Sequence, residues 1–106
     1  MRSQFKAVKE VGQMSFQTDL PCTATGSISE QRVLHHLYTR GSRRDLVDKD
    51  WNLMPLIKEA HHLAHSMGLS KFVDAYPRVR VWLLANGWEW DTFNKKWINR
   101  KVYELN

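Results

Sequence analysis

The chain has one cysteine, Cys22, in 106 residues. A lone thiol forms neither an intrachain disulfide nor a cysteine zinc site, and such a chain suits a reducing compartment. The expected location is cytoplasmic. No apolar run approaches the ~20 residues a membrane helix needs. Residues 1–13 carry Arg2, Lys6 and Lys9 but lack the apolar centre of a signal peptide, so no membrane partner is expected. Glycine-rich phosphate loops and paired-carboxylate motifs are also missing. Nothing therefore suggests a small-molecule substrate, a cofactor or an enzyme. Cys22 has no neighbouring His or Asp arrangement and falls in a loop-like stretch, which argues against a nucleophile.

Positive charge and tryptophan are plentiful. Sixteen Lys and Arg against eleven Asp and Glu leave +5 at neutral pH, a balance that favours a polyanion or an acidic protein surface as partner. The stretch "WLLANGWEWDTFNKKWINRK", residues 82–101, holds Trp82, Trp88, Trp90 and Trp97 together with Lys95, Lys96, Arg100 and Lys101. Large aromatics at element spacing usually fill a core, and any left exposed beside lysines becomes an interaction hot spot. Trp88, Trp90, Trp97 and Phe93 are the candidates for protein contact.

Residues 1–26 show weak periodicity and read as an N-terminal arm, partly flexible, with Met14 as an alternative start; residues 27–106 read as one domain. "SISE" from Ser27 to Glu30 has the form of a capping box, and Val33, Leu34, Leu37 and Tyr38 share a face at helical spacing. Helix one is expected over 28–40, closed by Gly41. A charged connector, "SRRDLVDKD", follows, with a short strand at Leu46 and Val47. Asn52 is the expected cap of a second helix, with Pro55 in its first turn and a stripe from Leu53 to Met67 that ends at Gly68. "LSKF" reads as a tight link. Helix three is expected over 75–86, with Pro77 in its first turn and Gly87 at its end. The period then changes to two around the turn residues "DTFN", which predicts a C-terminal β-hairpin. The fold class is mainly α with that hairpin.

This order of elements resembles the winged-helix form of helix-turn-helix domains found in small phage and mobile-element DNA-binding proteins. The phrases that carry the resemblance are "SEQRVLHHLYTRG" and "YPRVRVWLLANGWEW", and it covers about residues 27–100. It implies a three-helix domain with the third helix in the major groove of double-stranded DNA and the hairpin on the backbone. Arg78 and Arg80 would read the groove. Lys95, Lys96, Arg100 and Lys101 would hold phosphates, with Arg43 and Arg44 extending the patch. A regulator or DNA-processing accessory factor is the expected function. The alternative is a small protein that binds and inhibits or redirects a host enzyme such as a nuclease or polymerase.

"HHLAH" puts His61 and His65 four residues apart on the second helix. Such a pair could chelate Zn²⁺, with Glu59 or with His35 and His36 completing the site. In the absence of a third sure ligand the expectation is a titrating, solvated face and no metal.

Overall fold

The computed structural model describes the backbone of residues 6–10, 13–17, 19–39 and 41–104, and side chains from residue 19 onward. Among the described residues the chain forms three helices and three two-stranded antiparallel hairpins, a small α/β arrangement. Strand β1 (Lys6–Glu10) pairs with β2 (Gln13–Gln17), and β3 (Arg32–His36) pairs with β4 (Leu53–Ile57). Helices α1 (Lys58–Met67), α2 (Leu69–Ala75) and α3 (Pro77–Ala85) follow without a break. Strands β5 (Trp88–Asp91) and β6 (Lys96–Asn99) then close the C-terminal hairpin.

The core is built mainly by β4, the helices and the hairpin. Met54, Leu56, Ala60, Phe72, Val79, Leu83, Trp88 and Trp97 are buried in one cluster. Trp88 fixes the hairpin to the β3–β4 connector: its indole N–H donates to the Trp51 carbonyl at 2.7 Å, and its ring stacks on Tyr38 at 5.2 Å. Gly87, between α3 and β5, has φ +88°, a conformation that glycine adopts without the Cβ penalty.

Helix three, its Pro77 start, the end of α1 at Gly68 and the hairpin around "DTFN" fold as expected. Helix one does not form. Residues 32–36 are a strand because a short apolar run has no periodicity that separates strand from helix, and the apolar β4 offers it a pairing edge. Upstream, the Arg32 guanidinium donates to the carbonyls of Leu20, Ile28 and Glu30, so "SISE" becomes a turn around an arginine instead of a capping box. Gly41 consequently ends no helix.

Helix two starts at Lys58, later than expected. Every residue of β4 is buried, and the all-round apolarity of "LMPLI" favours a strand covered on both faces over an amphipathic helix. Pro55 is tolerated there while its carbonyl accepts from the Thr23 amide at 2.8 Å. Asn52 caps nothing. Leu46 lies in a 3-10 turn over Arg44–Leu46, where a short strand was expected. "LSKF" opens α2 rather than a link. The mainly-α reading is corrected accordingly, since β3 and β4 replace the first helix and the start of the second.

The N-terminal stretch, read as a partly flexible arm, carries regular pairing among its described residues. Backbone pairing joins β1 to β2, and Cys22 and Ala24 lie in the core, so the domain begins before residue 27. The Cys22 thiol, in the stretch read as loop-like, is fully buried.

Candidate metal centre

Antiparallel pairing of β3 with β4, followed at once by α1, turns the chain back so that the first helix packs on the strand before it. Residues four apart on a helix share a face, so His61 and His65 rise together from α1. Alternation along β3 sends Leu34 into the core and leaves its neighbour His35 facing these two rings. The three imidazoles meet edge to face, with centroids 5.1 Å apart for His35 and His61, 4.9 Å for His35 and His65, and 4.6 Å for His61 and His65.

One nitrogen from each ring lies within 4.8 Å of the other two. His61 Nε2 and His65 Nε2 are 3.1 Å apart. Metal–nitrogen bonds of about 2.0–2.1 Å at a tetrahedral angle require an edge of roughly 3.3 Å, so this pair already has the spacing of two ligands. His35 Nδ1 is buried with no hydrogen-bond partner. Burial of such a nitrogen is costly unless something meets it, and ligation at that atom would do so. The donor set fits a divalent transition ion with an open fourth position.

Electrostatics agree with that geometry. Burial, reinforced by the neighbouring His61, His65 and His36, pushes the His35 pKa down to about 3. Burial and the adjacent His65 and His36 also lower that of His61. Both rings are therefore held neutral, the form that binds a cation. A folded His35 that resists protonation makes metal-free protein acid-sensitive. The unfolded ring takes up a proton near its ordinary 6.5 and the folded ring only near 3, so stability falls as pH drops through that window. The expected slope is on the order of 1 kcal/mol per pH unit. Urea midpoints for the metal-free chain at about pH 7.5 and about pH 5, compared with those of His35→Leu, check this, because the variant lacks the steepest part of the decline.

His36, next along β3, turns to the opposite side of the strand, where its Nε2 is 3.1 Å from the Val47 carbonyl oxygen. A carbonyl only accepts, so Nε2 carries the proton in the neutral ring and Nδ1 is the basic nitrogen. The connector that supplies Val47 is braced by Asn52, which is fully buried. Its Oδ1 accepts from the Tyr38 amide at 2.7 Å, and its Nδ2 donates to the carbonyls of Tyr38 at 3.1 Å and Leu46 at 3.0 Å. An open depression lined by Glu30, Lys58, Glu59, His61, His62 and His65 gives access to the His61 and His65 rings.

The basic candidates are not gathered on one face. Arg78 and Arg80 are two positions apart on α3, roughly 200° around the axis. The Arg78 guanidinium lies against Gly26, whereas that of Arg80 lies 5.7 Å over the Trp97 ring on the hairpin side. Arg43 is paired with Asp45 at 2.6 Å and Arg100 with Glu89 at 2.7 Å. The Lys101 side chain passes over Gly87. Arg44, Lys95 and Lys96 are exposed. Of the aromatic candidates, Trp88 and Trp97 are buried, while Trp90 and Phe93 reach solvent.

Sequence reasoning weighed His35 as a third ligand but read it on a helix, where it could not be aligned with His61. His36, weighed with His35 as a completing ligand, is outside the cluster, and Asn52 was read only as a helix cap. The available signal was order: paired histidines ending a short apolar run, an asparagine, a second apolar run, then a helix with two histidines four apart. No protein-family model matches this chain, and neither a curated protein nor a solved structure matches it.

Proposed function

We propose that the protein is a metal-dependent phosphodiesterase that acts on nucleic acid. The observation that carries this reading is the convergence of His35, His61 and His65 nitrogens within 4.8 Å. Three neutral imidazoles leave a divalent ion its full double charge, which would stabilise an anionic phosphodiester as charge builds on its oxygens. In the step proposed, a water loses one proton to solvent as its oxygen forms a new bond to phosphorus. The bond from phosphorus to one ester oxygen breaks, and that oxygen leaves with a proton taken from solvent. The chain's +5 charge favours a polyanionic substrate.

The hairpin is retained as a nucleic-acid contact. Insertion of α3 into a duplex groove has less support, since Arg78 and Arg80 diverge. A protein partner remains the second reading because α3 exposes Val81 at 69% and Leu84 at 53%.

The test is hydrolysis of bis(4-nitrophenyl) phosphate by metal-stripped protein resupplied with Zn²⁺, Mn²⁺ or Ni²⁺. Release of 4-nitrophenolate that depends on the ion and stops on adding EDTA is expected. Absence of hydrolysis with every ion, together with absence of metal binding by calorimetry, sinks the proposal.

A further inference from the structure

Phe93 is 90% exposed, the most exposed large hydrophobic side chain among the described residues. It stands at the tip of the β5–β6 hairpin, and the turn that carries it is held firmly. Asp91 Oδ1 accepts from the Phe93 amide at 3.0 Å and from the Asn94 amide at 3.2 Å, while Oδ2 accepts from Asn94 Nδ2 at 2.7 Å. Lys95 follows in the left-handed region at φ +55°, and the exposed Lys96 begins β6. Neither lysine is in an ion pair among the described residues. Three residues before Phe93, Trp90 is 39% exposed and lies edge to face on Trp97 at 5.8 Å, and the Arg80 guanidinium lies 5.7 Å from the centre of the Trp97 ring.

A free aromatic face on a fixed turn, flanked by two lysines, matches a nucleotide strand in both of its parts. The ring offers a stacking surface to a base, and the ammonium groups meet the adjoining phosphates. Duplex interiors keep base faces stacked on one another and so have none to offer. Phe93 can be used only where a base is unpaired. We infer that the hairpin tip is a stacking finger that directs the protein to single-stranded or locally unpaired nucleic acid, with Phe93 against a base and Lys95 and Lys96 on its phosphates. This inference rests on the nucleic-acid reading above and specifies its substrate class.

The experiment measures anisotropy of a fluorescein-labelled ten-residue oligodeoxyadenylate and of a blunt-ended duplex, in EDTA so that nothing is cleaved. Bis(4-nitrophenyl) phosphate hydrolysis is followed in parallel with metal restored. Phe93→Ala is expected to weaken the single strand at least about fivefold and the duplex less than about twofold, with Phe93→Trp restoring the loss. The small-diester rate should not change. Single-strand affinity that stays within about twofold in Phe93→Ala, or an equal loss on both nucleic acids, overturns the stacking finger and leaves the metal reading intact. Wild-type protein that binds neither probe also overturns it, and the tip then belongs to a protein contact. Phe93-dependent single-strand binding by a chain that hydrolyses no diester supports the finger while refuting the hydrolytic reading. The ring makes little contact with its own fold, so loss of folding does not confuse the variants.

Discussion

Replacing His65 by alanine is expected to abolish metal-dependent hydrolysis and to lower affinity for Zn²⁺ at least about a hundredfold, while barely changing the stability of the metal-free protein. His65 is exposed on α1, and a surface substitution there costs within about 0.5 kcal/mol. Its role in the triad is different in kind. Removing it leaves His35 and His61, and two imidazoles hold a transition ion far less tightly than three; even outer-shell partners of a metal site are worth about 10–100-fold. His62, exposed one turn position away on the same helix, is the control. His62→Ala should retain both binding and rate. Calorimetry with Zn²⁺ and 4-nitrophenolate release measure the two quantities separately. Equal behaviour of the two variants would remove the triad from the chemistry.

Asn52→Ala should strongly damage the fold. The substitution deletes three hydrogen bonds and leaves the part-buried Tyr38 amide and carbonyl without that partner, while the Leu46 carbonyl still accepts from the Lys49 amide. Each group left unpartnered costs about 1–3 kcal/mol, so a total of at least about 2 kcal/mol is expected. For a domain of this size that corresponds to a fall in Tm of roughly 4–8 °C for each kcal/mol. Asn52→Asp keeps the shape but sets a buried carboxylate against the Tyr38 and Leu46 carbonyls, and should be at least as damaging. Thermal melts followed by tryptophan emission check this order, because Trp51 and Trp88 meet beside the braced loop.

The C-terminal half was legible because its signals are local. Pro77 can start a helix, Gly87 can end one, and "DTFN" makes a turn whatever surrounds it. The first half depends on partners distant in the chain. "RVLHH" becomes a strand only because "LMPLI" lies opposite, and the pairing Leu34↔Pro55 spans a connector that carries no regular pattern. The same error hid the site. Placed on a helix, His35 and His36 are two solvated histidines; placed at the end of a strand facing α1, one joins a triad and the other turns to the opposite side of the strand. The opening density of tryptophan and lysine resolves by burial, which alternation within a hairpin cannot specify for a tip residue such as Phe93.

The candidate centre lies wholly within residues 32–67, in two strands and the helix that follows them. A chain emerging from the ribosome exposes its N-terminal part first. The ion site is thus complete in sequence while α3 and the hairpin are still to be made. Trp88 arrives afterwards and settles on Tyr38 and Trp51, bringing Phe93 and its lysines with it. On the reading proposed, synthesis in that order would complete the three histidines before the hairpin that would meet a nucleic acid.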